Sequence, residues 1–210
     1  MEEQSTVPRR WDPIVKLTHW GIVAAVIGNA LVTEEGSGWH IWIGYGLAAL
    51  LALRLLWGLV GPREARFGAF PPSLARASHH VGEIRRGEVS HHASHNPLGA
   101  LMVYAIWGTL LVVIGTGVAM SGPPPADPWA ERGEHGEQAV AEAEEHGEEA
   151  EKREEGGEGE EDEGPLGELH EIAVNLLYVL IALHLMGVVF ETRRSGPQIA
   201  RSMLPGGKRD

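Results

Sequence analysis

Four long apolar runs constrain this chain more than any other feature. Each is close to the ~20 residues that a helix needs to cross a ~30 Å hydrocarbon core. Polar segments separate the runs, so each can form its own helix. The sequence therefore predicts an all-α integral membrane protein, a four-transmembrane-helix bundle in a single domain over residues 1–210. The predicted spans cover approximately residues 14–33, 40–60, 97–120 and 168–190.

The net charge of −12 comes from one segment rather than from the whole chain. Residues 131–163 hold 16 of the 29 acidic side chains and 3 of the 17 basic ones, and the remainder has a net charge of +1. The segment lies in the loop between spans three and four, residues 121–167, and has too few large apolar residues to build a core. We expect a disordered, acidic, low-complexity loop. Its acidic side chains are either simply solvated or steer a basic partner protein toward the membrane protein.

Basic residues outside that loop predict the orientation in the membrane. Thirteen of the 17 basic residues lie before span one or in its first turn, between spans two and three, or after span four. By the positive-inside rule both termini are cytoplasmic, and the acidic loop is periplasmic if the membrane is a bacterial inner (plasma) membrane. The apolar first run, without a small-residue cleavage site after it, is interpreted as a retained span rather than a signal peptide.

Two histidines share one face of the fourth span. His170 and His184 are fourteen residues apart, which corresponds to roughly 1400° of helical rotation, within about 40° of four full turns, and to a rise of about 21 Å. Ionisable side chains in a span are costly, and usually mark a functional path or a cofactor. Histidine is a common axial ligand of haem iron, so this spacing indicates two stacked sites.

Depth in the membrane pairs these residues with histidines of other spans. His19 lies near the cytoplasmic end of span one, at the depth of His184, and we call this depth the inner level. His40 opens span two at the outer side, at the depth of His170, and we call this depth the outer level. Span three has no histidine. The chain has no cysteine, which excludes disulfides, thiolate-bound iron–sulfur clusters and covalently attached c-type haem, so any haem is bound non-covalently.

Arg54 lies fourteen residues after His40, so it shares the same helix face and reaches the inner level. A guanidinium pairs well with carboxylates, and a haem carries two propionates. We therefore predict that Arg54 contributes to cofactor binding through a buried pairing. The alternative is that its side chain extends to the cytoplasmic surface.

Six short motifs lie in the chain outside the acidic loop. They are Trp11-Asp12-Pro13, His19-Trp20, His40-x-Trp42-x-Gly44-Tyr45, Arg54-x-x-Trp57-Gly58-x-x-Gly61, Ala65-Arg66-Phe67 and His95-Asn96-Pro97-Leu98-Gly99-Ala100. Together they resemble the bacterial cytochrome b561 family, which is similar to the b-type cytochrome subunit of nickel–iron hydrogenases. The resemblance covers nearly all of the chain except the acidic loop.

The resemblance implies a bundle that holds two bis-histidine b haems and exchanges electrons with the quinone pool. The ligands that it implies are the four that spacing and depth select, His19 and His184 for the inner iron and His40 and His170 for the outer iron. The chain would be either an electron-transfer cytochrome of a respiratory chain or the cytochrome subunit of a quinone-linked oxidoreductase. We expect membrane lipid, quinone, and a periplasmic cytochrome c or hydrogenase-like subunit as partners, with a homodimer as a further option and no nucleic acid.

Two other functions are alternatives to this interpretation. A membrane metal-ion carrier would use the same histidines and the acidic loop, whose His135 and His146 recur in His-Gly-Glu triplets. Within the family, a superoxide-oxidising quinone reductase is another option. The remaining histidines, which include His79 and His80 between spans two and three, are interpreted as solvated loop residues.

Overall fold

A computed structural model describes residues 12–63, 65–86, 97–129 and 164–196 of the chain. In this part the structure is helical. The helices are α1 (Pro13–Leu31), α2 (Gly38–Val60), a short 3₁₀ helix (Phe67–Ala69), α3 (Leu74–Arg85), α4 (Pro97–Ser121) and α5 (Pro165–Ser195). Four of them, α1, α2, α4 and α5, are long and apolar enough to cross a membrane. The predicted all-α fold with four spans is confirmed, whereas the acidic residues 131–163 lie outside the described residues.

Polar caps define where the first two spans begin. The Asp12 side chain accepts hydrogen bonds from the backbone N–H groups of Ile14 and Val15, at 2.9 and 3.2 Å. Ser37 caps α2 in the same way, through a bond from the N–H of His40. Such caps satisfy N–H groups that the first turn of a helix leaves without partners. The cap at Ser37 thereby fixes the helix start on which His40 lies.

Span three ends at a glycine. Gly122 follows α4 with a φ of 65°, in the left-handed region that a glycine adopts without steric cost. The three prolines that follow cannot continue the helix. The chain therefore turns at the residue before the proline run.

The spans pack in a simple order of neighbours. α1 packs on α2, α2 packs on α4, and α4 packs on α5. Their shared core is a cluster of leucines from the three later spans, Leu47, Leu51, Leu110 and Leu177. At most 22% of the most apolar window of any span is buried within the protein. Most of each span therefore presents its apolar side chains outward, as a lipid-facing helix does.

The segment between spans two and three contains a helix that the sequence did not predict. α3 packs on α4 and buries Ala77 and His80. His80 is 2% exposed, and its Nδ1 lies 3.0 Å from the Glu83 carboxylate. The interpretation of His80 as a solvated histidine is therefore wrong, because α3 directs it toward the protein. His79, one residue earlier, has a side chain that is 71% exposed.

Candidate functional site: two levels of histidines

At the inner level the structure brings two predicted residues together. His19 on α1 and His184 on α5 are both half-buried, and their imidazoles are close enough to interact electrostatically. The two residues belong to the first and fourth spans, and their pairing around one cofactor stays a prediction.

At the outer level both histidines contact a threonine. The Nδ1 atom of His170 lies 2.8 Å from Thr116 Oγ1 on α4, across the interface of two spans. The Nδ1 atom of His40 lies 3.5 Å from Thr33 Oγ1, a much longer contact. The carbonyl of His40 also accepts a hydrogen bond from the Asn29 side chain, at 3.2 Å. Both imidazoles are half-buried, at the end of α2 and of α5 that faces away from α3.

Arg54 is buried, with an exposed fraction of 6%. Both terminal nitrogens of its guanidinium donate to the carbonyl of Ala65, at 3.4 Å each. The guanidinium also lies over the ring of Trp107, 4.9 Å from its centroid, in a cation–π contact, and interacts electrostatically with Asp12. The side chain therefore has buried partners from the protein and does not extend to the surface. A haem propionate as a further partner stays a prediction.

Aromatic rings cluster around Trp107, the ring over which Arg54 lies. Phe67 and Phe70 form ring contacts with Tyr104 and Trp107 at centroid distances between 5.7 and 6.4 Å, and Tyr104 contacts Trp107 at 5.6 Å. A Cβ atom at Gly58 would overlap the ring of Phe67, so only glycine allows this approach. Gly58 and Phe67 both belong to the motifs quoted above, but nothing in the sequence showed that they touch.

At the other end, residues 122–129 fold over the start of α2, and we call this segment the outer strap. Tyr45 donates through its hydroxyl to the Gly122 carbonyl at 2.8 Å, and Trp42 donates through Nε1 to the Pro125 carbonyl at 2.9 Å. Trp39 and Trp129 meet edge to face, 5.3 Å between centroids. The strap lies beside the turn that carries His40, and the acidic residues 131–163 follow directly after it.

The described residues fit a histidine-bound haem in two respects. The contact of Thr116 with Nδ1 leaves Nε2 of His170 available to a metal, as for most metal-ligating histidines. Half-buried Gly44 lies one turn after His40, and a Cβ atom there would meet nothing within 4 Å, so there is room beside this imidazole. Within the described ranges, no group of three or more histidines and carboxylates could hold a metal ion alone.

The fold defines a class, that of multi-pass integral membrane proteins, and the predicted ligand histidines lie on three of its four spans. A family model, prokaryotic cytochrome b561, matches residues 10–206, and the chain belongs to that family. This is a membrane haem b electron-transfer family, so the chain is a multi-pass membrane protein that binds haem b. The family resemblance noted in the sequence is thereby confirmed. Comparisons with curated proteins and with solved structures found no match.

Proposed function

We propose that this protein is a dihaem b-type cytochrome that carries electrons across the membrane between a periplasmic redox partner and the quinone pool. His19 and His184 would bind the inner haem, and His40 and His170 the outer haem. Each haem would supply one-electron redox chemistry, and two histidine ligands per iron leave no open position for oxygen.

One observation supports this proposal most. His170 and His184 lie on the same helix with a rise of about 21 Å between them, while different helices approach each of them. His184 lies within electrostatic range of His19 of α1, and His170 contacts Thr116 of α4. A single imidazole in a span is more simply a polar helix contact, but two imidazoles with separate partners at two depths favour two cofactor sites.

The protein's own contribution is to hold the imidazoles and to exclude water. Arg54 adds a buried positive charge near the inner level, and positive charge offsets the negative charge of haem propionates. The basic residues predict that the inner level is cytoplasmic and that the outer strap and the acidic loop face the periplasm. Transfer between the two levels would therefore move electrons from one side of the membrane to the other.

A haem count tests the proposal. Purified protein should contain two b haems per chain by a pyridine haemochrome assay, with two components in low-temperature difference spectra. His170→Ala should remove or perturb mainly the outer haem, and His184→Ala mainly the inner one. His79→Ala, at an exposed histidine of α3, should leave both unchanged. One haem per chain in intact wild-type protein would contradict the two-level arrangement, and a colourless protein would favour the metal-ion carrier.

A further inference from the structure

Span three carries no histidine, yet it makes a short polar contact with a proposed ligand on span four. Thr116 Oγ1 on α4 lies 2.8 Å from His170 Nδ1 on α5. Thr116 is 7% exposed, so water does not compete for this hydrogen bond to any extent. The hydrogen bonds of the described chain include no corresponding one to the imidazole of His19 or His184.

The neighbours of Thr116 determine which group donates. The threonine hydroxyl has one proton, and the carbonyls of Val112 and Val113 accept it at 2.8 and 3.1 Å. This back-bonding to the preceding turn is common for threonine in helices. This leaves an Oγ1 lone pair for His170 and favours the arrangement in which Nδ1–H of the imidazole donates and Thr116 accepts. The tautomer with a proton on Nδ1 has its free lone pair on Nε2, the atom that a haem iron can bind.

Gly117, the residue after Thr116, lies against the same imidazole of His170. A Cβ atom added at Gly117 would lie 3.3 Å from His170 Cε1 and 3.7 Å from Nδ1. Glycine thus allows the imidazole edge to approach α4 closely, while the threonine beside it provides the hydrogen bond. Gly117 and Thr116 of span three therefore act together on His170 of span four: the glycine allows the close position of its ring, and the threonine favours one tautomer.

We propose that Thr116 is a positioning residue for the outer haem, and this inference rests on the proposed function. Its hydrogen bond selects the tautomer of His170 and orients the ring. An imidazole whose N–H donates to an acceptor is a more basic ligand, which stabilises ferric iron and lowers the midpoint potential. Because Thr116 contacts His170, its effect should appear at the outer haem.

Thr116→Val tests this directly, because valine keeps the shape of threonine and removes the hydroxyl. We expect a higher midpoint potential for the outer haem, an altered low-spin signal of that haem in electron paramagnetic resonance, and about 10-fold weaker retention of it. The inner haem should be unchanged. Thr116→Ser, which keeps the acceptor oxygen, should restore wild-type values. If Thr116→Val does not accumulate, Thr116→Ala provides the same test with a smaller side chain.

Thr109→Val is the matched control. Thr109 is buried on the same helix two turns earlier, and its hydroxyl donates to the Ala105 carbonyl at 3.0 Å. It should leave both potentials unchanged. If Thr116→Val keeps two haems with an unchanged outer potential, or if Thr109→Val changes that potential equally, Thr116 does not have this role. Either result would leave the proposed function standing. Wild-type protein without two low-spin haems would instead overturn the proposed function, and this inference with it.

Discussion

Asp12 and Trp57 are joined by a hydrogen bond, 3.0 Å long, from the indole Nε1 to Oδ1 of the carboxylate. The same oxygen caps α1 by accepting from Ile14 and Val15. One atom therefore sets the start of α1 and ties it to the end of α2. His19 lies two turns into α1, so this bond also helps to fix its depth relative to Arg54 on α2.

Loss of this bond should lower stability. A hydrogen bond to a charged group contributes about 1.5–3 kcal/mol, so Trp57→Phe should destabilise the protein by roughly that amount. Asp12→Ala should cost more, because it also removes a helix cap that contributes about 0.5–2 kcal/mol. Thermal unfolding in detergent, followed by the haem absorbance, measures both. Trp42→Phe is the control, because its indole donates to a neutral carbonyl in an exposed position; a cost equal to that of Trp57→Phe would contradict the argument.

Arg54→Leu should lower the midpoint potential of the inner haem. The guanidinium charge favours ferrous over ferric haem, so its removal stabilises the oxidised form, and the outer haem is too distant to respond equally. Redox titration of both haems measures the effect, with Arg54→Lys keeping the charge and Arg76→Leu as an exposed arginine control. Equal shifts in both haems, or none, would mean that Arg54 only holds the Ala65 carbonyl and Trp107 in place.

Quinone should act at the inner level. Two-electron quinone chemistry also needs protons, and we predict a site between α1 and α2 near the haem of His19 and His184. Titration with quinone or with a quinone-site inhibitor should perturb the spectrum of this haem first. A perturbation confined to the outer haem would transfer the site to the side of the outer strap.

The acidic loop should steer a basic electron carrier. Residues 131–163 carry a net charge of −13, and charges are screened beyond about 10 Å at 0.1 M ionic strength. Deleting them should keep both haem spectra, slow electron exchange with a basic soluble cytochrome c at low salt, and flatten the salt dependence. Stopped-flow rates that are unchanged by the deletion at low salt would show that the carrier docks elsewhere, with the turn at Glu34 and Glu35 as the next region to test.

Some of these features were accessible from sequence because they are properties of one segment at a time. Four runs near twenty residues predict four spans, and a spacing of fourteen predicts that His170 and His184 share a face. Which residues meet across spans was not accessible, as Arg54 illustrates. Its partners Ala65 and Trp107 come from a loop and from another span, and no local pattern connects them.

The helix α3 was missed for a related reason. It has twelve residues, several of them charged or polar, and so lacks a long apolar run. Its buried face contains His80, which sequence reasoning assigned to solvent because its neighbours are serine, glycine and arginine. The role of Thr116 left little signal either, since threonine is common in helices and its partner lies 54 residues away.

Both His170 and His184 lie on α5, the last of the described helices in chain order. Chains emerge from the ribosome with the N-terminal part first, so a nascent protein that ends after α4 has one ligand at each proposed site and completes neither. In this arrangement, binding of haem by two histidines must follow synthesis of α5. Both sites would then become able to bind haem at the same step of biogenesis, rather than one after the other.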